Sequence, residues 1–172
     1  MHLTKNKFID NSYKYVMNTS KKIIWKNIIS ISAILIVAGL GTLFVNLGME
    51  WFGSLAKPTE WVSNIVFPIV WTTVYLIVAV LNFLWIKKEG IPKDVLILEI
   101  INGVINVLWC LIFFTLNSLL FGLITIILNL IFAILLWTSV NKQDKVYSYF
   151  LAIYPIWIAI ATTLNLAVWI LN

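Results

Sequence analysis

Apolar residues in this chain run in long blocks, not in the alternation of half-buried strands. Five windows, residues 28–47, 65–86, 95–115, 119–140 and 149–171, carry a single charged residue between them, Glu99. Each is long enough to cross a bilayer core of roughly 30 Å as a helix, which takes about 20 residues. The pattern predicts an all-α polytopic membrane protein. Its domain would be a five-transmembrane-helix bundle over 28–172, preceded by a polar basic leader over 1–27. The links are 48–64, 87–94, 116–118 and 141–148. The third is so brief that spans three and four must form a tight antiparallel hairpin. The first holds Gly48, Trp51, Gly53, Pro58 and Trp61 and is apolar enough to fold back as a lid. In the leader, Ile9, Tyr13, Val16 and Met17 recur at helical spacing among lysines. A surface-lying amphipathic helix and a disordered tail both fit that pattern. The apolar stretch from Ile28 is too long for a cleaved signal, and no small-x-small site follows it.

Composition agrees and narrows the function classes. The chain is 62% hydrophobic and 11% charged, which leaves no mass for a soluble catalytic or DNA-binding module. With five spans, the N-terminus and links two and four share one side, and that side holds every lysine except Lys57. Such asymmetry places the N-terminus in the cytoplasm and Asn172 outside. The net charge of +5 is then a topology device that also meets anionic lipid, not a nucleic-acid footprint. One cysteine, Cys110, rules out an internal disulfide and a thiolate metal cluster, and one histidine, His2, at a terminus, leaves metal binding and histidine acid–base chemistry almost nothing to work with. No metal ligands and no obligatory cofactor are expected. Glu99 lies about one turn from the lysine-rich surface, so a snorkelling or lipid-edge position is expected of it, and no second carboxylate supports a proton path. Lysine in place of arginine, with abundant Ile and Asn, fits a bacterial plasma membrane.

Nine tryptophans carry the candidate chemistry. Trp25, Trp51, Trp61, Trp85, Trp137 and Trp169 fall near span ends, where indoles anchor at the water–lipid boundary. Trp71, Trp109 and Trp157 lie inside spans, each with polar company on one helical face. Span two aligns Phe67, Trp71, Tyr75, Asn82 and Trp85; span three aligns Asn102, Asn106, Trp109 and Phe113; span five aligns Tyr154, Trp157, Ala161 and Asn165. At 1.5 Å per residue, Trp71, Trp109 and Asn165 all lie about 9 Å from the ends of their spans opposite the lysines. The three faces can meet there, beneath the first link, as an aromatic-walled cavity with Asn106 and Asn165 as its polar groups. Stacking and area burial would hold a large planar apolar ligand, and a few amides would orient it. Interhelical packing by the same aromatics and interhelical hydrogen bonding by the same asparagines, Asn82, Asn102 and Asn129 included, are the competing reading.

Four blocks also resemble a known family. They are Trp51-Phe52-Gly53-Ser54-Leu55-Ala56-Lys57-Pro58, Phe67 through Trp71 to Tyr75, Asn106-Val107-Leu108-Trp109 with Phe113-Phe114, and Trp157 through Ala161-Thr162 to Leu164-Asn165. In this order they are similar to the tryptophan-rich sensory protein/translocator protein family, TspO/MBR, also known as peripheral-type benzodiazepine receptors. The resemblance runs from about Gly39 to Asn172. It implies a five-helix bundle, often a homodimer, whose cavity is closed by the first long loop. It implies binding of porphyrins and haem-type tetrapyrroles, and of isoquinoline carboxamides and benzodiazepines. It also carries a reported photochemical degradation of protoporphyrin, with Trp71 and Trp157 in the catalytic positions. Trp51, Phe67, Trp71, Tyr75, Asn102, Asn106, Trp109, Phe113, Tyr154, Trp157, Ala161 and Asn165 are the candidate ligand-binding set.

Departures from the family pattern carry consequences. Trp61 stands three positions after Pro58, where the family has two, and Val62-Ser63 replaces a Pro-Pro pair, which implies a looser lid. Pro155 follows Tyr154 where the family has proline before tyrosine, so the kink in span five shifts. Thr125 replaces an acidic residue. Leu166 and Ile170 replace the Tyr and basic residue of the animal sterol pattern, so no cholesterol site is expected there. Three functions follow from these readings: a tetrapyrrole receptor or sensor, with translocation as an extension; a photo-oxidative enzyme; and a small transporter or structural protein whose tryptophans only pack.

Overall fold

The computed structural model describes the backbone of residues 2–58 and 65–172 and the side chains of 19–58 and 65–172. The chain forms α1 (His2–Ser54), α2 (Val66–Lys88), α3 (Lys93–Cys110), α4 (Leu119–Gln143), α5 (Lys145–Leu151) and α6 (Ile153–Leu171). A π-helical turn, Leu111–Thr115, extends α3. Five of the resulting rods are long and apolar enough to cross a membrane, the fifth being α5 and α6 together. With no strand among the described residues, the all-α, five-span expectation holds.

The boundaries differ from the sequence reading in three places. First, α1 has no break near residue 27, and it continues to Ser54 instead of ending at 47. Trp51 and Gly53 therefore stand on its last turns and not in a loop. Gly48 and Gly53 lower helix propensity, but tertiary contact overrides that cost at Gly48. The Lys57 ammonium closes the helix by donating to the Phe52 carbonyl at 2.8 Å and the Gly53 carbonyl at 3.2 Å, a favourable place for a cation. Second, links two and four shrink: Gly90, at φ +110, turns the chain after α2, and Asp144 caps α5 by accepting from the Val146 and Tyr147 N–H groups. Third, span five breaks at Ala152. Pro155 cannot donate to the Leu151 carbonyl, so the ladder opens one turn before the proline. The lid residues 59–64, Trp61 among them, and the leader positions Ile9, Tyr13, Val16 and Met17 lie outside the described residues or side chains.

Packing is uneven, and that places the cavity. Spans three and four form the expected hairpin, joined through 116–118, and α4 packs along α6. Helix α1 is the peripheral member: among its described side chains only Gly41 and Gly48 are buried. Gly48 lies against the backbone of Phe114, where a Cβ would come within 1.9 Å of the Phe114 carbonyl oxygen. The Thr115 hydroxyl donates to the Phe44 carbonyl at 3.0 Å, and the Phe52 ring meets Phe114 at 5.3 Å. Toward the lysine-rich end α1 touches α3 where Val37 lies against Gly103, and a hollow remains between α1, α2 and α3.

Candidate ligand cavity

The hollow has a volume of about 880 Å³, within the range of small-molecule sites. Its wall is almost wholly apolar, with Ala33, Val37, Val74, Val78 and Val107 among its residues. At one end stand Trp71, Tyr75, Asn106 and Tyr154; Asn102 lies beside them. At the other end, near the lysines, stand Lys26, Ser30, Asn82, Glu89 and Glu99. Ile36, Ile100 and Val104 line it while more than half exposed, so the cavity opens sideways between α1 and α3, toward the space lipid would occupy.

The three aromatic faces do converge. Trp71 stacks on Tyr75 at 5.8 Å and on Trp109 at 6.5 Å, and meets Tyr154 edge-on at 6.2 Å. The Trp109 indole N–H donates to Asn165 Oδ1 at 3.2 Å, which confirms the common depth inferred from residue spacing. The position of the hollow is different from the one inferred. It extends from this cluster toward the lysine-rich end along α1, where the sequence placed it in the opposite half beneath the first link. In that half the described rings pack on one another: Trp109 stacks on Phe113, Phe113 meets Phe114 edge-on, and Trp51 meets Phe113 at 5.7 Å.

The candidate residues therefore divide. Trp71, Tyr75, Asn102, Asn106 and Tyr154 line the cavity. Trp109, Phe113, Trp157, Ala161 and Asn165 are buried in the packing beside it. Trp51 and Phe67 are half-buried, and Phe67 lies edge-on to Trp157 at 5.3 Å. The Trp157 N–H is buried without a hydrogen-bond partner. Of the tryptophans assigned to the boundary, Trp25 and Trp169 are exposed as expected, while Trp85 is buried against Tyr147 at 5.1 Å.

Three asparagines bind helices together. Asn102 Nδ2 donates to Asn129 Oδ1 at 3.1 Å, and the Tyr154 hydroxyl donates to Asn102 Oδ1 and to Asn129 Oδ1. This joins α3, α4 and α6 at one buried point. Asn165 accepts from Trp109 and donates to the Ala161 carbonyl. Replacing Asn129 with Leu is expected to lower unfolding free energy by about 1–2 kcal/mol, because Asn102 and Tyr154 lose a buried partner. Thermal unfolding in a single detergent measures this.

Sequence reasoning missed the contribution of α1, whose cavity face carries no aromatic and a single hydroxyl, Ser30. The available signal was Gly41 and Gly48, two turns apart on one face. It also misplaced Glu99. That carboxylate accepts from Asn82 Nδ2 at 3.1 Å and lines the cavity, so it is not a lipid-edge group.

Residues 30–170 match the model of the TspO/MBR family. Protein CrtK of Rhodobacter capsulatus is 28% identical over 133 residues, covering 71% of this chain and 78% of that protein. Tryptophan-rich protein TspO of Archaeoglobus fulgidus is 29% identical over 151 residues, 87% of this chain and 98% of that one. Tryptophan-rich protein TspO of Chlorobaculum tepidum is 31% identical over 144 residues, 80% and 90% of the two chains.

Proposed function

This chain belongs to the TspO/MBR family of integral, multi-pass membrane proteins, and from that premise we propose that it is a receptor for porphyrins and related tetrapyrroles. Isoquinoline carboxamides and benzodiazepine-type ligands belong to the same proposal. The observation that carries it is the stacked Trp71–Tyr75 pair in the wall of a cavity of about 880 Å³. A flat macrocycle gains area burial and ring stacking there. Asn106 and the Tyr154 hydroxyl supply the few polar contacts that would orient it. Transfer of the ligand to or from the bilayer would use the opening between α1 and α3. Assembly as a homodimer is carried from the resemblance alone. The proposal includes a cytoplasmic N-terminus, supported by the lysine distribution, and a bacterial plasma membrane, supported by lysine in place of arginine with abundant Ile and Asn.

Titration of the purified protein with protoporphyrin, read by intrinsic tryptophan fluorescence, tests the receptor reading. Saturable quenching at micromolar or lower concentration is expected. Linear, non-saturating quenching would return the tryptophans to a purely structural role.

Light-driven oxidation of protoporphyrin, with dioxygen as the oxidant that takes up the electrons, is a second reading, favoured by two rings that can relay a radical, Trp71 and Tyr75, side by side in that wall. Trp157, the other candidate catalytic residue, lies away from it against Phe67. Illumination of the complex separates the two. Binding alone leaves the Soret band constant in light and dark, whereas degradation bleaches it over time, and Trp71→Phe would slow the bleaching.

A further inference from the structure

The polar end of the cavity is distinct from the aromatic end and has unspent acceptors. Glu99 lies about 9 Å along α3 from Lys93, inside the span. Among the described residues it has no ion-pair partner, and its one hydrogen-bond donor is Asn82 Nδ2. That same Nδ2 also approaches Ser30 Oγ at 3.2 Å, so one amide serves two acceptors. Asn82 is 3% exposed, and its Oδ1 is buried with no partner. The second carboxylate oxygen of Glu99 and Asn82 Oδ1 thus remain as acceptors without a donor, with the Ser30 hydroxyl beside them. The formal charges lining this end are two carboxylates, Glu89 and Glu99, against one ammonium, Lys26. Lys26 Nζ sits out by Gly90 and does not pair with Glu99.

A carboxylate inside a membrane span is costly unless a positive or donor-rich partner meets it. Metal ions are poorly served: three or more grouped ligand residues are absent among the described residues, and hard cations want six or more oxygens. An alkylammonium answers the site directly. It brings positive charge and three N–H donors on one atom, and an apolar body attached to it would lie along the apolar wall. We propose that Glu99, with Asn82 and Ser30, recognises the ammonium group of a lipophilic primary amine that enters between α1 and α3. This goes beyond the tetrapyrrole reading and does not rest on it, since the two sites occupy opposite ends of the cavity.

The test uses the full chain in nanodiscs of zwitterionic lipid. The probe is dansylcadaverine, a primary amine on an apolar tether with a fluorophore. Its N-acetyl derivative has the same body and no charge. Wild-type protein is expected to bind the amine saturably and at least about tenfold more tightly than the acetyl derivative. Glu99→Gln should erase that preference, and Ser30→Ala should reduce it. Equal binding of the two probes by wild-type protein overturns the proposal without recourse to any variant, so a folding defect cannot mask the result. A preference retained in folded Glu99→Gln also overturns it. Protoporphyrin is titrated separately against the wild-type protein, so a failure of tetrapyrrole binding is scored on its own.

Discussion

Trp71→Ala is expected to lower protoporphyrin affinity by about ten- to a hundredfold, while Trp157→Phe changes it by less than about twofold. The magnitude follows from what each ring touches. Trp71 is half-buried and lines the cavity, with Tyr75 stacked at 5.8 Å on one side and Trp109 at 6.5 Å on another. A macrocycle seated there would lose one stacking partner, worth about 0.5–1.5 kcal/mol, and the apolar area of an indole, at about 25 cal/mol per Å². Together these approach about 1.4–2.8 kcal/mol, one to two decades in affinity. Stability should fall as well, by less than the 3–5 kcal/mol typical of a fully buried Trp→Ala change, because part of the indole already faces the hollow. Trp157 is 4% exposed and packs on Phe67 outside the cavity wall. Phe in its place removes a ring that the ligand does not meet, along with an N–H that has no partner. Fluorescence titration of both variants, with unfolding midpoints measured beside it, decides the matter. Equal losses of affinity at the two positions would place the ligand in the opposite half of the bundle.

How much could be read from the sequence depended on the kind of signal each feature leaves. The five spans were legible because lipid forces every backbone group into an internal hydrogen bond, and only long apolar helices do that with this composition. The convergence of Trp71, Trp109 and Asn165 was legible from helical spacing and rise alone. The cavity's position was not. Whether neighbouring rings line a hollow or fill it depends on their rotamers and on helix separation, and neither is encoded in periodicity. Trp109 illustrates this: its face and depth were inferred correctly, yet its N–H is used by Asn165 and its ring lies on Phe113. Glu99 was misread for a related reason. Its partner Asn82 lies on another helix, and a span-by-span reading treats a lone carboxylate as unpaired. Helix α1 was the least legible of all, because what seats it on the bundle is the absence of a side chain at one glycine, Gly48.

Two glycines of α1 yield the sharpest contrast expected from this fold. Gly41→Ala and Gly48→Ala place the same methyl group on the same face of α1, seven residues apart, with opposite outcomes. At Gly41 a Cβ would lie 3.6 Å from Cys110 Sγ and 4.0 Å from the Tyr75 hydroxyl, which is ordinary contact. Alanine also favours the helix by about 1 kcal/mol over glycine, so Gly41→Ala should be neutral or mildly stabilising. At Gly48 a Cβ would lie 1.9 Å from the Phe114 oxygen, 2.3 Å from its carbonyl carbon and 2.8 Å from its Cα. All three atoms are backbone, so no rotamer change relieves the clash, and α1 must move away from the π-helical turn. That motion would strain the Thr115–Phe44 hydrogen bond and the seat of Phe52 on Phe113 and Phe114. Close approach through small residues is a main source of helix association in lipid, where no hydrophobic gain is available. The loss at Gly48 should therefore reach or exceed the upper end of the usual overpacking range of about 1–3 kcal/mol. Unfolding midpoints in one detergent give the comparison: Gly41→Ala at or above wild type, Gly48→Ala well below it. Equal midpoints for the two variants would mean that α1 does not meet the Phe114 backbone at Gly48, and the wall that α1 gives the cavity would then have to be placed afresh.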